Sequence, residues 1–340
     1  MAKNFLIILL IIIIIIAALI FGASLYVNKM IEDTLHDELR STLSANGLGD
    51  YISYDEIDVQ VLTGEVALKK LSISDAAGGL DIKAYEVFVR ISPAEAVAFA
   101  RNPDTAILTG ASAGAAEVQL NSKENDDSIE IDNVDLMLEG RFNQKLLEDN
   151  EAVINDIDIN LYNTGIDFPK LGIYAGVKKF SGSFSGTMNP TELNTSVSAF
   201  LGQQNRLKVD LDNADIELNE TLRSSTALFF GAASADKIVD TMHIEKIYLD
   251  INSEINKIDV NKLDLVSDGL AAAGTAEIAL GDDTTSPTLD SKLEIHQMAE
   301  GVRSIVEPYL SCTEQVLPGK TPFTVNASIA EDGSVFMIAE

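Results

Sequence analysis

Tryptophan is absent from this chain of 340 residues, cysteine occurs once and histidine occurs three times. With Cys312 alone, no intramolecular disulfide can stabilise the fold, which excludes the small disulfide-rich scaffolds. We interpret Cys312 as a small buried hydrophobic residue, with an intermolecular disulfide as the alternative. His36, His243 and His296 are far apart and lack metal-ligand spacing, so the sequence predicts no metal site.

Basic residues are scarce, since 24 lysines and arginines face 53 aspartates and glutamates, for a formal net charge of −29. Such a surface repels phosphate backbones and anionic headgroups. Nucleic acid is therefore not an expected partner, and adhesion to acidic bilayers is disfavoured. We interpret the charge as a solubilising surface, and an acidic face that docks a basic partner is the alternative.

No catalytic motif is recognisable either. The glycine-rich segment Gly110–Gly114 is not followed by the lysine of a phosphate-binding loop. The segment Gly182–Gly186 has Phe184 where a nucleophile elbow needs a serine. The sequence therefore predicts neither an enzyme nor a cofactor, and it offers no catalytic, cofactor-binding or metal-binding residue.

What the chain does have is one long apolar run, from Phe5 to Val27, which includes six consecutive isoleucines. A helix of about 23 residues is roughly 35 Å long, enough to cross a hydrocarbon core. The run therefore predicts an uncleaved transmembrane anchor, and a cleaved signal peptide ending at Gly22-Ala23-Ser24 is the alternative. Lys3 precedes the run and acids follow it, which favours a cytoplasmic N-terminus, residues 1–4, with the bulk of the chain on the far side.

After the anchor, apolar residues recur every four positions, at Ile31, Leu35, Leu39 and Leu43. This spacing predicts a juxtamembrane amphipathic helix over residues 28–46, ended by Asn46-Gly47. From Tyr51 onward the period changes to two, with aliphatic residues on one side and acids or amides on the other. The alternation predicts about fifteen strands, with a bulge at Lys69-Lys70. Among them are Ala116–Leu120, Gly182–Met188, Leu207–Leu218, Ile244–Ile251, Ile255–Val266 and Phe323–Ile329. Helices are expected at 93–100, 144–153, 222–242 and 297–310.

No linker interrupts residues 47–340, so we expect one extended β-rich domain. Its aliphatic strand faces can be buried by a closed sandwich of two sheets, or they can line a groove for a lipid chain. Tethering to a bilayer favours the groove. The predicted groove-lining residues are Val59, Val61, Val66, Leu68, Val87 and Val89.

The segment from Tyr51 to Ile73, with Val59–Thr63, Gly64 and Val66–Ile73 after an apolar helix, resembles the start of AsmA-like envelope proteins. Val87–Glu95 is similar to their step from a strand to a short helix. The beginning of the YdgA-like bacterial family of unknown function is a close alternative. The resemblance covers about 100 residues and implies no catalytic residue. This chain is shorter than the large AsmA-like members.

The resemblance implies a single-pass protein of the bacterial inner membrane, with residues 47–340 in the periplasm. The fold class would be mainly β (α+β), an elongated, curved antiparallel sheet or groove with a few short helices behind the transmembrane helix. The implied function is binding or transfer of phospholipid or fatty acyl chains, or outer-membrane integrity. The alternative is a structural protein of the cell envelope, a closed β-sandwich whose acidic surface binds envelope proteins.

Overall fold

The computed structural model describes residues 28–45, 48–60, 63–75, 79–101, 106–123, 125–143, 145–146, 149, 151–188, 204–218, 241–279, 287–303, 307, 317–329 and 334–340. The predicted anchor, residues 5–27, lies outside the described residues. Within the described residues, no helix combines the length and the apolar character needed to cross a bilayer.

Strands dominate the described residues. Helix α1 spans Asn28–Ala45 and helix α2 spans Pro93–Arg101, with short helical turns at 145–146 and 300–303. The strands are β1 (Ile52–Ser53), β2 (Glu56–Gln60), β3 (Glu65–Asp75), β4 (Leu80–Arg90), β5 (Leu108–Ser122), β6 (Ser128–Phe142), β7 (Val153–Phe168), β8 (Ile173–Met188), β9 (Asn205–Leu218), β10 (Thr241–Glu254), β11 (Lys257–Ser267), β12 (Leu270–Ala279), β13 (Thr288–Met298), β14 (Phe323–Ile329) and β15 (Val335–Ala339).

All fifteen of these described strands belong to one antiparallel sheet. From β3 to β15 the order in the sheet follows the order in the sequence, and β1 and β2 both pair with β3. Contacts divide the chain into two compact units. The first comprises residues 1–124, 128–162 and 187–196, and the second comprises 125–127, 163–186 and 197–340.

The core of the first unit lies between α1 and the sheet. The apolar side of α1, at Leu35, Leu39 and Leu43, is at most 4% exposed and packs on strands β2 to β6. A hydrogen bond of 2.8 Å from Leu48 N to Leu43 O closes the end of the helix. Burial of these leucines stabilises the helix by about 1.5–3 kcal/mol each, more than its weak intrinsic propensity supplies.

The turn into β3 depends on a glycine. Gly64 has a φ of +67°, and a Cβ there would collide with the carbonyl oxygen of Ile91. The Ile91 amide donates a 3.0 Å hydrogen bond back to the Gly64 oxygen. Only a residue without a side chain fits both requirements.

The alternation of side chains along the strands has a regular interruption. Four residues that are not glycine have a φ between +49° and +51°, one on each of β3, β5, β7 and β9. They are Lys70, Glu117, Asn163 and Asn213. Around Lys70, Glu117 and Asn213 the strand pairing omits one residue pair, and the apolar side chains then resume after three residues instead of two, as from Leu68 to Leu71. We call each such position an alternation break.

Several sequence predictions are confirmed and others are corrected. The helices predicted over residues 28–46 and 93–100 correspond to α1 and α2. The bulge predicted at Lys69-Lys70 is not a bulge, because β3 keeps the same register with β4 on both sides of Lys70; the interruption there is the first alternation break. The helix predicted over 144–153 is wrong beyond a short turn, because Val153 already begins β7. Most of the helix predicted over 222–242 lies outside the described residues, and its last two residues begin β10.

Candidate functional site: the apolar face of the second unit

The residues predicted to line a groove lie in the core of the first unit. Val59, Val66, Leu68, Val87 and Val89 are 1–6% exposed and belong to the cluster that packs against α1. Val61 lies outside the described residues. The alternating pattern therefore located one apolar side of the sheet, but helix α1 covers this part of it. Whether these residues ever contact a lipid stays a prediction.

Strands β8 to β11 of the second unit also have an apolar side. Residues paired across neighbouring strands point to the same side of a sheet, so rows can be traced from the pairing. One row runs through Val209, Leu249 and Leu263, and a second through Leu211, Ile247 and Leu265. A third row runs through Leu207, Ile251 and Val260, and we call these three rows the apolar face; its residues are Leu207, Val209, Leu211, Ile247, Leu249, Ile251, Val260, Leu263 and Leu265. On the same side of the sheet the rows are bounded by buried residues, Phe184 on β8 and Ala214 and Ile244 on β9 and β10.

The exposure of the apolar face differs from that of the first unit. All nine side chains are half-buried, whereas Leu68 and Val87 beneath α1 are 3% and 5% exposed. In the second unit, the described elements in substantial contact are all neighbours in the sheet. No described element covers the apolar face as α1 covers the first unit.

Next to this region, a small covered cluster occurs on strands β12 to β14. Ala272, Ile295 and Phe323 are 3–4% exposed, and Leu317 from the segment before β14 packs on them at 4%. Thr321 and Pro322, which follow in the same segment, are joined by a cis peptide bond. In the described part of the second unit, the segment that contains Leu317 thus covers only this small cluster of the sheet.

One end of the apolar face is polar. Asn205 and Ser253 are paired across β9 and β10 and are 5% and 1% exposed. Gly186 on β8 lies against Asn205 so closely that a Cβ would collide with the amide oxygen. The rows of the apolar face therefore end, on β9 and β10, at a buried amide and a buried hydroxyl.

The opposite side of the same strands is charged and largely self-neutralised. Arg206 donates to both carboxylate oxygens of Asp250, at 2.9 and 2.6 Å. This hydrogen bonding by Arg206 lowers the pKa of Asp250, in spite of partial burial. The ammonium groups of Lys246 and Lys262 lie 5.8 and 5.3 Å from the ring centre of Tyr248, within cation–π range. The two sides of these strands therefore differ sharply in chemistry.

A shallow polar depression of about 400 Å³ lies on β11 to β13, lined by residues that include Asp259, Glu277, Asp290 and Lys292. Lys257 is 3.0 Å from both Asp259 and Glu277 and neutralises part of this charge. Among the described residues, no group of three or more histidine, cysteine or acidic side chains is arranged to hold a metal ion. The segment Gly182–Gly186 lies wholly within β8, so it does not form the strand-turn-helix of a nucleophile elbow.

Sequence reasoning missed the apolar face as a site, although it identified its strands. The helical period of Leu35, Leu39 and Leu43 is the sequence signal for the helix that covers the first unit.

No protein-family model matches this chain, and neither the curated proteins nor the solved structures contain a significant match to it.

Proposed function

We propose that this protein binds acyl chains of lipids on the apolar face of its second unit, as a membrane-anchored protein of the bacterial cell envelope. In this proposal, residues 5–27 anchor the protein in the inner membrane and residues 47–340 lie in the periplasm. The sheet forms an open groove rather than a closed core. Its physiological role would be lipid transfer or outer-membrane integrity. The observation that carries the proposal is the aliphatic surface formed by residues from Leu207 to Leu265, whose side chains are only partly buried.

The energetics favour an apolar occupant. Soluble monomers rarely leave large contiguous apolar patches open to water, and such patches mark binding surfaces. Each methylene group removed from water contributes about 0.8 kcal/mol. A saturated chain laid on the three rows therefore gains affinity with length, by about tenfold for every two carbons.

Charge favours a particular kind of contact. The apolar face carries no ionisable side chain, while the chain as a whole has a net charge of −29. The protein therefore gains little from an anionic headgroup, and the acyl chain supplies most of the binding energy. A bilayer close to the anchor would supply the lipid.

The test uses the full chain reconstituted into phosphatidylethanolamine vesicles with a photoreactive benzoylphenylalanine at position 249 or 248. Leu249 lies on the apolar face, and Tyr248 is its neighbour on the charged side of the same strand. The proposal predicts a lipid adduct at position 249 and little at position 248. Equal labelling at the two positions, or none at position 249, would overturn it.

A second arm adds palmitate or laurate to the same vesicles and measures protection of position 249. Protection by palmitate at lower concentration than laurate identifies a free fatty acid as a ligand. If neither acid reduces the yield of the phosphatidylethanolamine adduct, the ligand is the phospholipid.

The alternative function is a structural protein whose acidic surface binds an envelope partner. A closed sandwich needs a second sheet, and all described strands belong to one sheet. Binding of an envelope protein to the acidic surface is tested by crosslinking. This alternative predicts one stoichiometric protein partner and no lipid adduct at position 249.

A further inference from the structure

Strand β15 is unlike the other strands because it is apolar on both sides. Its sequence is Val335-Phe336-Met337-Ile338-Ala339, without a polar or charged residue. Met337 and Ala339 pack on the covered cluster of the second unit, while Phe336 and Ile338 are 56% and 50% exposed on the other side. Strands that are apolar on both sides are typical of sheets whose two faces are both covered.

Among the described residues, β15 has only one neighbouring strand, β14. Thr324 and Glu340 exchange both backbone hydrogen bonds, each 2.8 Å long. In an antiparallel ladder such pairs alternate with pairs that do not bond to each other. The amides and carbonyls of Val335, Met337 and Ala339 therefore point away from β14, towards the open edge.

At the opposite end of the strand order, β1 and β2 pair with β3 and form an edge that is protected against pairing with a further strand. Strand β1 has two residues, and β2 has five, of which Glu56 and Asp58 are acidic. Short edge strands and charged side chains discourage pairing with another chain. Strand β15 is as short as β2 but contains no charged residue, so it lacks the second kind of protection.

We propose that β15 pairs with β15 of a second copy of this chain, antiparallel and with the two-fold axis at Met337. In this register the outward-pointing groups of Met337 meet those of the second copy's Met337, and Val335 meets the second copy's Ala339. About six backbone hydrogen bonds form. Phe336 lies opposite the second copy's Ile338 in a non-hydrogen-bonded pair, where side chains approach most closely.

The composition of β15 is what selects a second copy as the occupant. The strand is self-complementary, because every pair across the axis joins two apolar residues and no charges meet. Because the interface is small, we expect the dissociation constant of the dimer to be micromolar or weaker. Two bodies of charge −29 repel each other at long range. Salt screens this repulsion, so the dimer strengthens as ionic strength rises.

Disulfide trapping tests the register in full-length protein with Cys312→Ser. Residues in a hydrogen-bonded pair have Cα atoms about 5.5 Å apart, within disulfide range. Met337→Cys is therefore expected to crosslink to itself under mild oxidation. Ile338→Cys is expected not to, since two copies of position 338 lie about 7–8 Å apart diagonally. It should crosslink instead to Phe336→Cys when the two variants are mixed.

Tyr174→Cys provides the control for random collision, because Tyr174 is 50% exposed, as Ile338 is. Crosslinking of equal yield at positions 174, 337 and 338 would overturn the proposal.

Sedimentation of the unsubstituted full-length chain in a nonionic detergent gives an independent measurement. We expect a monomer–dimer equilibrium that shifts several-fold towards dimer between about 0.05 and about 0.5 M NaCl. Met337→Pro removes an outward-pointing amide that no described strand uses, so it should abolish the dimer and leave the circular dichroism of the sheet unchanged. A monomer at all concentrations and salt levels, or a dimer that survives Met337→Pro, would overturn the proposal.

Discussion

The carboxylate of Glu95 on helix α2 accepts two hydrogen bonds from Thr109 at the start of β5, at 2.8 Å from the amide and 2.6 Å from the hydroxyl. Its other oxygen accepts a 2.7 Å hydrogen bond from the hydroxyl of Ser92, and the Glu95 amide donates to the same hydroxyl. Glu95 thus completes a capping box at the start of α2 and fastens the helix to the sheet. Burial alone would raise the pKa of Glu95, but these hydrogen bonds outweigh it and lower the pKa.

The first prediction concerns this contact. Glu95→Ala should lower the free energy of unfolding by about 1–2 kcal/mol at neutral pH, because it removes the cap and leaves Thr109 without an acceptor. Since ionised Glu95 has a lowered pKa in the fold, its contribution is complete above the ordinary carboxyl pKa and is lost as pH falls through the folded value. Urea titrations of both proteins at several pH values measure the difference, which should shrink in acid. Glu130→Ala, at an exposed position on β6, is the control.

A second prediction concerns His243 and Asp215, which face each other on β10 and β9 with 2.7 Å between Nδ1 and Oδ1. The hydrogen bond to Asp215 raises the pKa of His243. Protonated His243 therefore adds stability below its ordinary pKa, and the addition is lost as pH rises through the raised value. An NMR titration of the imidazole should show a lower pKa in Asp215→Asn. An unchanged titration would contradict the ion pair.

Gly64 provides a third prediction. Gly64→Ala should destabilise the protein by about 1–3 kcal/mol or more, because its φ is positive and Ile91 occupies the space that a Cβ needs. Gly165→Ala is the matched control, since nothing lies within 4 Å of a Cβ there. Thermal unfolding followed by circular dichroism compares the two. Equal loss in both variants would show that the turn does not require glycine.

The fourth prediction tests the alternation breaks. Glu117 has a φ of +49°, a conformation in which a side chain costs roughly 1–2 kcal/mol. Glu117→Gly should raise the urea midpoint, and Glu117→Val should lower it, because a β-branched residue fits this conformation least well. Asn213→Gly should have a smaller effect, since asparagine tolerates the left-handed region. A stabilising Glu117→Val would show that the backbone there can relax.

Much of the fold follows from local patterning, and the misses have identifiable causes. Strand β14, Phe323–Ile329, was predicted with its observed bounds, because aliphatic and polar residues alternate without interruption. The first half of β5 was missed because its residues are mostly glycine, alanine and serine. Gly114 is small for a reason visible only in three dimensions, since a Cβ would meet the ring of Phe88 on β4. Close packing across strands thus requires small residues here, and small residues give no alternation of hydrophobicity from which a strand could be predicted.

The candidate site was less accessible from the sequence. Leu68 and Leu249 occupy equivalent positions in an alternating pattern, yet one lies beneath α1 and the other does not. Which strands a helix covers depends on how the chain packs, and local periodicity contains no information about it. The helix predicted over 144–153 failed for a related reason. Asn143 caps a single turn through its 2.7 Å contact with the Leu146 amide, and the chain then enters β7.

The left-handed residues on alternate strands have a consequence for how such a protein can change in length. Lys70, Glu117, Asn163 and Asn213 follow one another at intervals of 46 to 50 residues, each interval comprising two strands. A duplication or loss of one whole interval would keep every remaining side chain on its own side, whereas a shift by one residue would exchange the two sides. Each pair of strands touches mainly its immediate neighbours, so growth by hairpins is energetically local.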